Sequence, residues 1–462
     1  MPTNPDTSAT ARLVRHVVAC RYETLPDTAL DAARTFILDS LGVALSGTRV
    51  PMVATLKALA STWGTGNAAT IWGTGEKVPA GTAAFVNGYQ IHNQEWDCVH
   101  EPAVVHPMAV VLSTLLAWAE ARGGIGGRQL ITGCSVAVDV AATIGQAARN
   151  KLKFFRPAMC GALGATAGIA SMLRLDEATT RSALGLCYSQ LSGTMQAHVE
   201  GSPVLPMQIG FNTRAALNAI ELATSGVSGP RNFLEGPFGY FKLVDPEWDP
   251  GIFDELGEVH RVAELSHKPF PSGRATHGGC DGVLSLREAH GFGIDEVLQI
   301  RVYAPHLVIQ LVDRPPTPDM APSYARLCLP YVAATALTEG TVDVIDFEPA
   351  QLRDPRRHAL AAKIRVVHDG TEAQNTLAPQ RIEIDLVDGR RLALDLPAVL
   401  GAPGRPLGRA RHLAKFTRAA SSGARPMPDE RIQSLVRAVD SLEELPDVRG
   451  LVALLAYPQE SL

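Results

Sequence analysis

The stretch Val86–Pro107, VNGYQIHNQEWDCVHEPAVVHP, limits what this chain can fold into more than any other. From His92 to His106 it places three histidines (His92, His100, His106), three carboxylates (Glu95, Asp97, Glu101) and the thiol of Cys98 within 15 residues. The segments on either side are apolar and small. Titratable groups set between apolar segments are costly to bury unless they are hydrogen-bonded or charge-paired. Where they line a pocket, their shifted pKa values suit them to acid–base work. The plain alternative is a polar surface loop.

The 462 residues are 46% hydrophobic and 19% charged, enough for a large core and for two domains. Aromatic residues make up only 6%, while alanine and glycine abound, so closely packed helices are expected inside. A net charge of −5 gives no footprint for nucleic acid, so any anionic substrate has to be held by local cations. The seven cysteines (Cys20, Cys98, Cys134, Cys160, Cys187, Cys280, Cys328) are widely spaced, odd in number and form no C-x-x-C. They read as free thiols in a reducing compartment. MPTNPDTSAT has no basic region followed by an apolar one, so no secretory signal is expected. The uncharged runs 58–75, 102–119 and 182–199 are broken by glycine, proline or polar residues and read as buried helices, not membrane spans. A soluble, cytoplasmic protein is expected.

Apolar periodicity predicts helices over 30–43, 52–63, 79–90, 108–121, 129–148, 157–173, 179–192 and 206–225. Near residue 260 the pattern changes. A helix over 277–290 is followed by alternating runs at 297–303 and 364–368. Runs 381–387 and 391–396, joined through Asp388-Gly389, predict a hairpin. Helices resume at 409–419, 429–442 and 448–455. The fold expected is mainly α: a large all-helical domain built from both chain ends (1–263 and 406–462), with an inserted, smaller α+β lid (264–405). GALGATAG has the small residues of a dinucleotide loop, but no strand precedes it and no βαβ alternation follows, so that reading is set aside.

Four groups carry candidate chemistry. In the opening cluster, His106-Pro107 places an imidazole at a helix start, where a neutral ring or a bound anion is favoured. His92 with Glu95, and Asp97 with His100, repeat an i, i+3 spacing of metal-ligand type, but Pro102 interrupts any continuous helix, and no metal is assigned. Cys98 lacks a base spaced to activate it. The second group, Ser266–His277, brings Lys268, Arg274 and His277 to the domain boundary, where Lys and Arg suit a carboxylate. The third is Arg156, alone in apolar surroundings. The fourth joins Arg314, Tyr324, Arg326 and Tyr331, the last in an apolar helix where a phenol donates to a core acceptor or to substrate. A basic, histidine-containing cleft of this kind suits proton abstraction next to a carboxylate, with elimination of water, decarboxylation or inversion as the outcome.

These segments resemble the MmgE/PrpD family, which includes 2-methylcitrate dehydratase, cis-aconitate decarboxylase and iminodisuccinate epimerase. The matching stretches are FILDSLGVALSG (36–47), AAFVNGYQIHNQEWD with His106-Pro107, GALGATAGIAS (161–171), IGFNTRAALNAIELA (209–223), HKPFPSGRATH (267–277) and YVAATAL (331–337). The resemblance implies the helical body with an inserted lid, a homodimer and no cofactor. It carries His106 onto the family's H-P histidine, Lys268 onto the lysine of K-x-F-P, His277 onto the histidine closing that segment and Tyr331 onto a lid tyrosine. Where the family usually has D-F-D-D-T, this chain has Glu95-Trp96-Asp97-Cys98-Val99. Arg156 stands where the decarboxylases have a histidine, and Leu205 where they have a lysine.

The reading is a cofactor-independent lyase of the 2-methylcitrate dehydratase type, eliminating water from a small di- or tricarboxylic acid. A decarboxylase or epimerase is the near alternative, and a carboxylate-binding protein that has lost catalysis is the next. Catalytic roles are expected for His106, His277, Tyr331, Glu95 and Asp97, and substrate contacts for Lys268, Arg156, Arg274, Cys98 and His100. The partners expected are the carboxylate substrate and a second copy of the chain, with no nucleic acid and no membrane.

Overall fold

The computed structural model describes residues 7–373 and 375–456. Helices dominate. The longest are Asp27–Gly47, Gly127–Ala147 and Val204–Thr224, and each coincides with a run of apolar periodicity. Arg156–Met172 is buried along its whole length, because its sequence is rich in alanine and glycine, carries no charge after Arg156 and offers no polar face. It lies against Gly127–Ala147 with the two backbones almost in contact. A Cβ added at Gly168 would stand 2.6 Å from the Gly133 carbonyl oxygen and 3.0 Å from the Ala137 Cβ. Only glycine allows that approach. Gly127–Ala147 is long and apolar enough to cross a membrane, but 94% of its apolar window is buried within this bundle.

Two large apolar cores divide most of the chain, beside a small cluster of Val53, Leu56, Ile71, Phe85, Val86 and Tyr89. The larger draws mainly on residues from Ala9 to Leu265 and again from Phe416 to Leu455, with Leu327 and Val344 joining from the lid segment. The smaller runs from Phe270 to Leu396. The architecture is therefore mainly α, with a body made from both chain ends and an α+β lid inserted between them. The lid contains a four-stranded sheet in the order Ile364–His368, Val297–Ala304, Gln380–Leu386, Arg391–Leu396. The last two strands form the expected Asp-Gly hairpin, with Gly389 at φ 91°. Ile364–His368 runs parallel to Val297–Ala304, a pairing that no strand signal specifies. The body is not purely helical: Ala69–Thr70 and Lys77–Val78 form a short antiparallel ribbon. All seven cysteines are free and buried.

The helix Gly408–Ser421 returns the chain to the body. It lies on Asp27–Gly47, with the Phe416 ring over Gly42 and Lys415 paired to Asp39 at 2.7 Å. Gly168→Val is expected to force the two central helices apart and to cost at least about 1–3 kcal/mol, the usual penalty of overpacking. Urea unfolding checks this, and an unchanged midpoint would mean that the helices do not touch there.

Candidate active site

The helix Ala80–His92 delivers His92 in its last turn, and the chain then turns sharply. Asn93 donates to the Gly47 carbonyl at 3.0 Å, and Glu95 takes a left-handed φ of 54°. A non-glycine residue there is strained and has to be held by its surroundings. Lys268 does so. Its ammonium donates to the Glu95 carbonyl and to Glu95 Oε2, both at 3.0 Å. The next carbonyl, that of Trp96, accepts from Lys415 at 3.0 Å. Beyond the turn, Val99 pairs with Ser266, His100 bonds Glu264 at 2.9 Å, and Glu101 takes Ser266 Oγ at 2.6 Å and Arg274 Nε at 2.9 Å. The acidic turn is thus fastened to the segment that leads into the lid.

Asp97 is the centre. Its Oδ2 lies 2.9 Å from His92 Nδ1 and 3.4 Å from His106 Nδ1, and its Oδ1 is 3.8 Å from Lys268. The two histidines are pushed in opposite directions. Burial lowers His92, but Asp97 and Glu95 outweigh it and raise its pKa above the ordinary 6.5. Burial and then Lys268 lower His106, against the pull of Asp97. Burial pushes Glu95 up, yet Lys268, His92 and His106 outweigh it and hold the carboxyl at about 2. Asp97 likewise lies well below its usual range, its histidines and Lys268 overcoming burial. The pKa values of the two histidines are thus moved apart, His92 upward and His106 downward, beside two carboxylates held in their charged form.

His92, Glu95 and His106 line a cavity of about 70 Å³ with Glu101, Arg156, His198 and Arg274. The rest of the wall is apolar: Val99, Val104, Leu152, Phe155, Leu205 and Leu311, among others. Arg156 opens the glycine-rich helix. Its Nη2 donates to Asp245 at 3.2 Å and to the Asn150 carbonyl at 3.0 Å, while Nε and Nη1 have no hydrogen-bond partner. His198 is held neutral, burial and Arg314 lowering its pKa to about 4.

Several expected roles do not match these placements. Lys268 is fully buried and committed to Glu95, so it positions the turn instead of facing substrate. His100 is closed off by Glu264 and by the Ala103 amide. Cys98 is buried away from the cavity, and burial, then Asp39 and Asp97, push its thiol well up, so it is not a thiolate. His277 points at the Ser272 carbonyl and lies 3.5 Å from an Arg274 nitrogen; burial and Arg274 keep it neutral. Tyr331 lies inside the lid, 3.1 Å from the Asp346 carbonyl and 3.0 Å from that of Gln351. Arg274 reaches the cavity, but all three of its nitrogens are engaged, by Glu101, His267, Leu400 and Val399. Glu95, Asp97, His106 and Arg156 are brought together as expected. His92, a member of the titratable cluster to which the sequence assigns no catalytic role of its own, joins them.

His92, Asp97 and His106 offer ligand atoms within 4.8 Å of one another. Lys268 sits against the same carboxylate and places a fixed positive charge where a cation would bind, so these residues do not fit a metal well.

The sequence matches the MmgE/PrpD N-terminal domain over residues 11–252 and the MmgE/PrpD C-terminal domain over 270–441. It is 27% identical to a cis-aconitate decarboxylase of Mus musculus, covering 98% of this chain and 94% of that protein. Against the cis-aconitate decarboxylase of Homo sapiens it is 26% identical over 94% of this chain and 92% of the relative. An Aspergillus terreus cis-aconitate decarboxylase is 24% identical, over 99% and 98%.

The pairing of Glu95 has a measurable consequence. Its pKa is lower in the folded protein, so the ionised group stabilises the fold above pH 4.5, and that contribution is lost as pH falls towards about 2. Glu95→Gln is expected to lose stability less steeply than the parent over this window, by up to about one proton. Urea unfolding at stepped pH reads the two slopes, and equal slopes would mean that Glu95 is not paired.

Proposed function

Because the chain belongs to the MmgE/PrpD family, we propose that it is a lyase that decarboxylates a small unsaturated di- or tricarboxylic acid, as its cis-aconitate decarboxylase relatives are named for doing. The observation that carries this reading is the placement of His92, paired with Asp97 at 2.9 Å, in the wall of a cavity that is otherwise mostly apolar. A carboxylate about to leave as carbon dioxide concentrates charge that the transition state spreads out, so apolar walls favour its loss. In the step, the bond between carbon and the departing carboxylate breaks. Its electron pair moves through the adjacent double bond towards a second carboxylate, which Arg156 holds with its free nitrogens. His92 Nε2–H gives the proton to carbon, carbon dioxide leaves, and solvent returns one proton to His92. Asp97, 2.9 Å from Nδ1, holds the ring and stabilises its charged form.

Dehydration, the activity of other family members, is the second reading. The observation favouring it is the neutral His106, a base beside an acid. NMR of cis-aconitate incubated with the enzyme in deuterated water separates the two. Decarboxylation is expected to release carbon dioxide and to leave one deuterium on carbon. Loss of the vinyl signal as water adds to give a hydroxy acid, with carbon dioxide absent, would replace it by the reverse of a dehydration.

The pH profile gives an independent check. If His92 is the acid, kcat is expected to hold level down to about pH 5 and to fall as pH rises through a midpoint above 6.5. His92→Asn should remove that limb and lower kcat by roughly 10²–10⁴. A profile that instead falls below pH 6.5 would make His106 the essential base.

A further inference from the structure

A second cavity, of about 270 Å³, backs onto the first and shares His92, Glu95 and Leu205 with it. Its far wall comes from the lid, where Arg326 follows the short helix Pro322–Ala325. Arg326 is 6% exposed, yet its Nε has no hydrogen-bond partner, and the carboxylate that acts on its charge is Glu95. The guanidinium lies over the face of the Phe347 ring, 4.6 Å from its centre. Tyr89, 2% exposed, lines the same cavity and lies near enough to Arg326 for the two to interact electrostatically. The nearest carboxylate, Glu95, is already matched by Lys268 at 3.0 Å. Prolines 51, 203, 206 and 322 and Met52 make the remaining surface largely apolar.

A buried guanidinium with an unpartnered Nε is costly, and the fold retains it against a cavity. Five donors in a planar fork match a carboxylate in two-point fashion, and a tyrosine hydroxyl adds a third donor. Apolar walls strengthen each of these contacts. We propose that Arg326 and Tyr89 form a carboxylate subsite behind Leu205, so that the substrate carries a carboxylate on that side of His92 and Glu95, separate from the one that departs. This rests on the carboxylic-acid reading above. It makes the substrate at least a dicarboxylate and assigns the lid a share in binding it: Arg326 is in place only when the lid is seated.

Calorimetric binding of cis-aconitate, glutaconate (a dicarboxylate) and crotonate (a monocarboxylate) to the full chain tests it. Arg326→Gln is expected to weaken cis-aconitate or glutaconate roughly tenfold to a hundredfold, the worth of hydrogen bonds to a charged group, and to leave crotonate unchanged. Tyr89→Phe should weaken the same acids less. Unaltered affinity for them in Arg326→Gln would overturn the subsite while leaving the carboxylic-acid reading standing. An equal loss for all three acids would also overturn it, by making Arg326 structural. A parent protein that binds none of the three overturns both readings. Should Arg326→Gln not fold, phenylglyoxal labelling of the parent decides: bound cis-aconitate is expected to protect Arg326, and undiminished labelling at saturating acid would overturn the subsite.

Discussion

Lys268 brings a positive charge to zero exposure and places it on Glu95, and much of the site depends on that contact. The ammonium meets both the carboxylate and the carbonyl of the same residue, so one side chain neutralises a buried acid and fixes a backbone that would otherwise avoid a φ of 54°. Buried ion pairs are costly to form and more costly to break, because removing one partner leaves the other uncompensated. Such a pair contributes little net stability, but it tolerates few alternative geometries. Here it connects the polar turn of the body to the segment from which the lid departs.

Once Glu95 is fixed, Asp97 lies between two histidines and separates their protonation. The same carboxylate is 2.9 Å from one ring and 3.4 Å from the other, and Lys268 tips the balance further against His106. One carboxylate therefore raises one ring, which it hydrogen-bonds, while the ring beside it is lowered. Around them the wall is built from side chains that cannot solvate an anion, so the few polar groups that reach the cavity have a large influence on what binds there. Arg274, by contrast, is braced by Glu101 and three carbonyls and acts as a strut between body and lid.

The fold was legible in the sequence because its signals are local. Helical periodicity marks the Arg156–Met172 and Val204–Thr224 helices to within a few residues, and Asp388-Gly389 announces its hairpin. The density of titratable groups around Asp97 marks the site for the same reason. Side-chain direction is not local. His277, Tyr331 and His100 belong to the right segments, but each turns to a carbonyl, amide or carboxylate that the chain order does not reveal. Lys268 looks like an anchor for substrate until its distance to Glu95, 173 positions away, is known. Arg326 stands out only once the acid near it, Glu95, is seen to be paired with Lys268.

Lys415 reaches the Trp96 carbonyl across 319 positions of sequence and pairs with Asp39, further still towards the start of the chain. Synthesis runs in the other direction. At about 5–20 residues per second, tens of seconds separate the appearance of the acidic turn from that of the helix that anchors it. Throughout that interval the nascent body holds Asp39 without its cation and the 95–98 turn without its clasp, while the whole lid is made in between. The helix Gly408–Ser421 thus acts as a latch that closes on a site translated long before.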